Sequence, residues 1–261
     1  MRIAVRGALP LASFAATLAL WQAVVMLGRV PVYLVPSPLA IVAAFVGDAS
    51  VLLRALLATL SVTFAALLAA MTSGVLLAIL MSASRVARAA LEPWTVILQV
   101  TPVVAVAPLI IVWIGDPFAA MVVCATVVAF FPVYANTASG LAATPPELLD
   151  LCRLNGASRA QEVLLVRLPA AIPYLLAGLR VSGGLALVGA VVAEFVTGAG
   201  GTASGLAFRI LEAGYRLQTA RMFAALALLS AAGLAISAAL GWISRQALAR
   251  YGVLPSGRTL S

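Results

Sequence analysis

The residues that could do chemistry lie mainly in one polar stretch, Asp150–Pro169, which reads DLCRLNGASRAQEVLLVRLP in a chain of long apolar segments. All 16 basic residues are arginine, and histidine is absent. Without histidine the chain has no imidazole for general-base catalysis or metal binding, and without lysine it has no Walker A phosphate loop. Cys124 and Cys152 lack metal-ligand spacing. We therefore expect no enzyme activity, no metal and no directly bound cofactor, so any ATP must be bound by another chain.

The composition indicates a membrane protein. Of the 261 residues, 64% are hydrophobic and 9% are charged, whereas about a quarter of the residues in a soluble domain are charged. The net charge of +8 comes from single arginines dispersed between apolar runs, which favours membrane topology signals over a nucleic-acid surface. We expect one transmembrane domain covering residues 1–261.

Six charge-poor runs have the length of about 20 residues that a helix needs to cross a bilayer, so we expect an all-α, polytopic membrane protein. They are residues 7–28, 55–84, 93–115, 117–146, 176–198 and 222–244. The first run could also be a signal peptide. Because it is long for one and has no clear cleavage motif, an uncleaved span is favoured.

The arginines also predict an orientation. With a cytoplasmic N-terminus, eleven arginines lie on the cytoplasmic side and five on the other, in agreement with the positive-inside rule. The eleven are Arg2, Arg6, Arg85, Arg88, Arg153, Arg159, Arg167, Arg180, Arg245, Arg250 and Arg258. Both termini and the polar loop, residues 141–171, are then expected in the cytoplasm.

Two further segments read as short helices at the membrane surface. In SPLAIVAAFVGD, Ser37 is suited to cap a helix that begins at Pro38. In LAFRILEAGYRLQTAR, the spacing predicts an amphipathic helix with Leu206, Ile210 and Leu217 on its apolar face. These segments could cover the ends of the helix bundle or take part in a gate.

The polar loop carries two helix-start signals in succession. Thr144 and Glu147 have the spacing of a capping box, which predicts a helix over 146–154, and Gly156 follows where helices commonly end. Ser158 and Gln161 repeat the capping box before a second helix, 159–168. The pattern predicts an ordered helix–glycine–helix element suited to a partner's groove. The alternative is a loop that only connects two spans.

This loop resembles the cytoplasmic EAA loop of ATP-binding-cassette (ABC) importer permeases, E-A-A-x3-G-x9-I-x-L-P. The departures are Asp for Glu, Leu-Cys for Ala-Ala and Val for Ile. The matching positions are Asp150, Leu151, Cys152, Gly156, Val166, Leu168 and Pro169. The resemblance implies coupling helices that dock into an ATPase subunit. We assign this contact to Glu147, Asp150, Arg153, Gly156, Ser158, Leu168 and Pro169.

A wider resemblance, over residues 34–245, is to nitrate/sulfonate/taurine-type permeases. It rests on an ordered series that includes LVPSPLAIV, LQVTPVVAVAPLIIVWIG and FFPVYANTASGLAATPPELLD. It implies a type I ABC importer-like permease in the bacterial inner membrane, forming a dimer. Its partners would be ATPase subunits that use ATP and Mg²⁺, and a periplasmic or lipid-anchored solute-binding protein. The implied substrates are sulfonate-, nitrate- or taurine-like anions, or pyrimidine or vitamin precursors.

Polar residues inside the apolar runs are candidates for a translocation pathway or gate, because such residues are expensive in lipid. They are Glu194, Gln99, Thr101, Pro102 and Asn136. The prolines of the third run could form a hinge or simply curve the helix. Asn136 and Thr137 are suited to hydrogen bonds between helices, and Glu194 is also suited to a buried structural role.

Two other function classes are compatible with a multi-pass membrane chain. A secondary transporter driven by an ion gradient usually has an internal repeat of spans, and none is evident. An integral membrane enzyme would cluster acids, histidines or metal ligands at one face, whereas the eight acidic residues here are dispersed. Both are weaker interpretations than the importer permease.

Overall fold

A computed structural model describes residues 2–198 and 204–250, and every regular element in these ranges is helical. Residues 1, 199–203 and 251–261, Arg258 among them, lie outside the described residues. The helices are α1 (Arg2–Leu27), α2 (Pro38–Ala83), α3 (Arg85–Val100), α4 (Val103–Ile114), α5 (Pro117–Ala142), α6 (Pro146–Leu154), α7 (Arg159–Glu162), α8 (Leu168–Thr197), α9 (Leu206–Tyr215) and α10 (Thr219–Arg250).

Four helices in the described residues are long and apolar enough to cross a membrane: α2, α5, α10 and a continuous helix that joins α7 to α8. Together α3 and α4 make a fifth candidate span, bent by 104° at its break. The remaining expected span, residues 7–28, falls on α1. The predicted all-α, multi-pass architecture is therefore present.

The expected third span, 93–115, is not one helix. Helix α3 ends at Val100, and α4 begins at Val103 after an extended Thr101. Pro102 causes this break, because its ring disfavours helical backbone in the residue before it. The Thr101 hydroxyl donates to the Ile97 carbonyl at 2.6 Å and satisfies one acceptor at the end of α3. Pro108, by contrast, lies inside α4.

The predicted surface helix at Ser37 forms, and it continues into the next span. The Ala40 amide donates to the Ser37 side chain at 3.3 Å, as expected of a helix cap. Only a kink at Asp48, with φ −109° and ψ 15°, separates this segment from the rest of α2. The short helix and the second span are therefore parts of one 46-residue helix.

The described residues fall into two compact units, taken separately below: residues 2–58 with 204–231, and residues 59–198 with 232–250. In the second unit, α5 packs closely on α8 through small residues. A Cβ atom on Gly178 would lie 2.7 Å from the Pro132 carbonyl oxygen, and one on Gly189 would lie 2.8 Å from the Cα of Ala125. Such close backbone approach is typical of membrane helices.

The hydrogen bond between α5 and α8 comes from Ser182, whose hydroxyl donates to the Ala129 carbonyl at 2.7 Å. The expectation that Asn136 and Thr137 join helices is wrong. Asn136 donates instead to the Pro132 carbonyl of its own helix at 2.8 Å, because that carbonyl lies one turn away. Thr137 Oγ1 is buried and has no hydrogen-bond partner among the described residues.

In the first unit, α9 buries Leu206 and Ile210, as its spacing predicts. Leu217 does not share that face, because the helix ends at Tyr215 and Leu217 turns to a φ of +55°. Arg209 and Arg216 pair with Glu212 at 2.8 and 3.0 Å. The hydrogen bond from Arg209 lowers the pKa of the Glu212 carboxyl. The polar side of α9 is thus an ion-pair network.

Candidate functional site

The polar loop has an ordered corner between α6 and α7. Gly156 has a φ of +75°, in the left-handed region that favours glycine. Its amide donates to the Arg153 carbonyl at 3.0 Å, and the Ala157 amide donates to the Cys152 carbonyl at 3.0 Å. These two bonds form a Schellman motif, which satisfies the free carbonyls at the end of α6. The predicted glycine corner is confirmed.

The first predicted capping box is wrong. Helix α6 spans Pro146–Leu154, but its N-cap is Pro145 and not Thr144, and Pro145 offers no side-chain acceptor. The buried Thr144 hydroxyl instead donates back to the Leu141 carbonyl of α5 at 3.2 Å. Pro146 disfavours helical backbone at Pro145, whose ψ is 132°, so Thr144 lies one residue too early to cap α6.

The second predicted capping box is confirmed. The Ser158 amide donates to the Gln161 side chain at 2.8 Å, and the Gln161 amide donates to the Ser158 hydroxyl at 3.3 Å. The helix that follows does not stop near residue 168. A π-helical turn, Val163–Arg167, carries it into α8. Pro169 lies in the first turn of α8, and because it has no amide hydrogen it cannot donate to the turn before it.

A buried carboxylate ties the two arms of the loop together. Glu162, on α7, accepts from Arg167 Nε at 2.8 Å and lies 3.6 Å from Arg153 Nε on α6. Arg153 also pairs with Asp150 at 3.1 Å. The carboxylate of Glu162 is 10% exposed, and a charge so buried needs paired partners. Arg153 and Asp150 therefore brace the loop, and Glu162 has a role that the sequence interpretation missed.

The outer surface of the loop exposes leucines among its polar side chains. Leu151, Leu154, Leu164 and Leu165 are exposed, and Leu154 has 86% of its surface free. Val163 is buried, and Leu168 packs beside a core cluster that contains Leu141 and Ala171. Contiguous exposed apolar side chains mark interaction surfaces. The loop is therefore held rigidly from within and presents leucines outward.

The candidate pathway residues fall in two places. Glu194 is 4% exposed on α8, and its neighbours Ala190 and Ala193 share an apolar cluster with Ala107 of α4. Val103, the residue after Pro102, packs against the same cluster. The broken α3–α4 segment, with Gln99, Thr101 and Pro102 at its bend, is thus brought to the part of α8 that carries Glu194.

Asn136 lies elsewhere. It is next to Gly178 of α8, and residue 178 is about 24 Å along the helix from residue 194 at 1.5 Å per residue. Asn136 and Glu194 therefore do not form one site. Ser182 is the residue that links α5 to α8, and only its place on a small-residue face of α8 could have indicated this.

Residues 70–248 match a family described as "Binding-protein-dependent transport system inner membrane component". The chain is 37% identical over 234 residues, 90% of its length and 94% of the relative's, to a Haemophilus influenzae protein named "Probable ABC transporter permease protein". It is 33% identical over 223 residues, 84% of its length and 79% of the relative's, to the aliphatic sulfonates transport permease protein SsuC of Bacillus subtilis. Further relatives are named for transport of riboflavin, formylaminopyrimidine, nitrate and taurine.

The fold is similar to a chain of the MetNI methionine ABC transporter in an inward-facing conformation. The TM-score is 0.65 at 23% identity, covering 75% of this chain and 95% of that chain. The expected type I ABC importer-like fold is confirmed, and so is the family that the loop motif indicated. The chain belongs to the family of binding-protein-dependent transport system inner membrane components, and it is a multi-pass permease subunit of an ABC importer that leaves ATP hydrolysis to a separate subunit.

Proposed function

We propose that residues 1–261 form a single permease domain that pairs with a second copy to enclose one pathway. Two ATPase subunits, which bind ATP and Mg²⁺, dock at the loop 141–171 on the cytoplasmic side, where both termini also lie. A periplasmic or lipid-anchored solute-binding protein delivers substrate at the other side. The excess of arginines on the loop side supports this orientation.

The observation that carries the docking proposal is the internally braced loop with outward-facing leucines. Glu162 holds α6 against α7, while Leu151 and Leu154 remain exposed. A rigid loop transmits a partner's motion to the adjoining helix better than a flexible loop does, because little of that motion is lost in local rearrangement of the loop. Gly156 keeps the corner closed, and Ser158 caps the second arm.

The test is co-purification of the chain with its candidate ATPase. We expect the wild type to retain the ATPase, and we expect Leu154→Asp and Gly156→Asp to lose it while still folding. Leu217→Asp is the matched control, because Leu217 is also an exposed leucine beyond a helix end but lies on the predicted periplasmic side. A wild-type chain that is folded in nanodiscs and retains no ATPase would contradict the proposal and favour gradient-driven transport.

For the substrate, we infer a small solute of the kind named for the relatives. These are sulfonate-, nitrate- or taurine-like anions and pyrimidine or vitamin precursors. The acidic Glu194 argues mildly against a simple attractive site for an anion. A thermal-shift screen of the partner binding protein against both groups distinguishes them.

We also propose that Glu194, Gln99, Thr101 and Pro102 border the pathway or its gate. The shared cluster of α4 and α8 beside Glu194 supports this. In the reconstituted complex, Glu194→Gln should lower solute uptake about tenfold, as expected for one altered polar interaction of about 1.4 kcal/mol. ATPase retention should be unchanged. Uptake equal to wild type would assign Glu194 a purely structural role.

A further inference from the structure

A basic cavity lies between the polar loop and the junction of α2 with α3. Its volume is about 410 Å³, and Ser82, Ala83 and Arg85 form one wall. The opposite wall carries Arg153, Arg159 and Arg167 together with Glu162. All of these residues belong to the same compact unit.

The cavity has more positive than negative charge. Four guanidinium groups line it and one carboxylate, Glu162, faces them. That carboxylate is already paired with Arg153 and Arg167. Arg85 and Arg159 have no ion pair within the described ranges 2–198 and 204–250. Guanidinium groups match the geometry of phosphate oxygens, so the cavity is suited to a phosphate-bearing anion.

The cavity continues toward the apolar part of the helices. A second cavity of about 350 Å³ shares Ser82, Arg85 and Arg167 with the first and adds Arg88 and Glu92. A third, of about 230 Å³, shares Arg88 and Glu92 with the second, and its other walls include the apolar Ala78 and Ala138 beside polar side chains. Together the three cavities make a groove, which we call the basic groove, with most of its arginines at the loop end and a partly apolar wall at the other end.

The surface beside the basic groove has the character of a membrane interface. On α3, Val86 and Trp94 are exposed, and tryptophan is enriched where lipid headgroups meet the hydrocarbon. A free anion or an acidic protein segment would use only the arginine end. An amphipathic ligand, with a phosphate head and an apolar tail, would use both ends.

We propose that the basic groove binds an acidic phospholipid of the leaflet that faces the polar loop, with its phosphate between Arg85 and Arg159 and its acyl chain along α2 and α5. Basic pockets at the ends of transmembrane helices bind such headgroups. The lipid phosphate supplies negative charge to a cavity lined by four arginines and one glutamate. This inference uses the proposed orientation but does not depend on ATPase docking.

The test uses the full chain, purified in detergent and titrated with phosphatidylglycerol or phosphatidylcholine of the same acyl chains. Bound lipid is counted by native mass spectrometry. We expect a preference for phosphatidylglycerol that falls roughly 30-fold in R85Q/R159Q, from a loss of about fivefold per arginine. The control R29Q/R54Q removes the same charge from exposed arginines elsewhere and should keep the preference.

Equal binding of both lipids, or an equal loss of preference in the control variant, would overturn the proposal. Full displacement of phosphatidylglycerol by millimolar inorganic phosphate would overturn it as well, because that result indicates a free-anion site. Displacement of the lipid by the bound ATPase would also overturn it, because the groove would then be a protein contact. If the double variant fails to fold, Arg85→Gln and Arg159→Gln are compared singly, and each should lose about fivefold.

Discussion

At the scale of single residues, the buried carboxylate of Glu162 is the charge on which the loop depends. Two guanidinium groups from different arms of the loop reach it. Asp150, the residue at the acidic motif position, is largely exposed, and among the described residues its ion-pair partner is Arg153. The motif position and the bracing position are therefore different residues, and the loop can tolerate changes at Asp150 better than at Glu162.

We expect Glu162→Gln to open the loop. Removing the buried carboxylate takes away the ion-pair partner of the mostly buried Arg167, at about 3 kcal/mol, whereas Arg153 keeps its pair with Asp150. Hydrogen exchange of the amides in residues 146–167 should accelerate roughly 100-fold. Glu147→Gln is the control, since Glu147 is exposed and has no ion pair in the described part of the chain. Unchanged exchange in Glu162→Gln would show that the leucines and caps alone hold the loop.

Two buried hydroxyls, Ser182 on α8 and Thr137 on α5, should respond in opposite directions. Ser182→Ala should lower the free energy of unfolding by about 1 kcal/mol, because the bond to Ala129 is lost. Thr137→Val should raise it by about 1 kcal/mol, because a buried hydroxyl without a partner among the described residues is removed. Unfolding in mixed micelles measures both. A destabilised Thr137→Val would mean that the hydroxyl binds a group supplied by the membrane or a partner.

At the scale of helices, the same terminal motif closes α6 with Gly156 and α9 with Leu217. The Leu217 amide donates to the Gly214 carbonyl at 3.1 Å and the Gln218 amide to the Ala213 carbonyl at 2.9 Å. Glycine occupies the left-handed position without strain, whereas leucine there costs about 1–2 kcal/mol. Two ends with equal hydrogen bonding thus differ in strain.

This difference predicts opposite effects of exchanging the residue types. Gly156→Ala should destabilise by about 1 kcal/mol. Since a Cβ atom there would meet nothing within 4 Å, the effect is one of backbone strain alone. Leu217→Gly should stabilise by about 0.5 kcal/mol, since relief of strain exceeds the extra freedom of unfolded glycine. Hydrogen exchange at the ends of α6 and α9 resolves the two. Destabilisation by Leu217→Gly would show that the leucine side chain makes a contact in the assembly.

What the sequence could predict at this scale follows from how local each signal is. The cap at Ser158, the corner at Gly156 and the cap at Ser37 depend on residues three or four apart, and all three form. The bend at Thr101–Pro102 needed a choice between a kink and a break, which depends on the packing of α4 against α8. Thr144 was misassigned as the cap of α6 because the pair Pro145–Pro146 places the N-cap one residue later, at Pro145.

At the scale of the whole molecule, family and fold were predictable because an ordered series of motifs covers most of the chain. Long apolar runs likewise located four spans, whereas in the described residues the run 93–115 is broken and the first run holds a shorter apolar helix, Ala12–Leu27. The basic groove was not predictable, because Arg85 and Arg159 lie 74 residues apart in sequence and only the fold brings them to one cavity. The pairing of Glu162 with Arg153 was not predictable either, because it depends on how the corner at Gly156 brings α7 against α6.

Helix packing gives a prediction for the transmembrane unit as a whole. Gly189→Leu should destabilise it by 3 kcal/mol or more, roughly the scale of forced overpacking, because even a Cβ atom would lie 2.8 Å from the Ala125 backbone. Gly184→Leu is the control on the same helix, where a Cβ atom would meet nothing within 4 Å. Thermal unfolding in nanodiscs compares the two. Equal stability of both variants would mean that α5 and α8 separate easily.

The unbroken helix from Arg159 to Thr197 has a mechanical consequence. Its 39 residues span about 58 Å at 1.5 Å per residue. One end carries the braced loop and the other carries Glu194, and the π-helical turn Val163–Arg167 and Pro173 lie between them. If such a beam rocks about its middle by about 5°, each tip travels about 2.5 Å, and the two tips travel in opposite directions. A displacement of the loop toward the molecule's axis would therefore be accompanied by a displacement of similar size, away from the axis, at the end that carries Glu194.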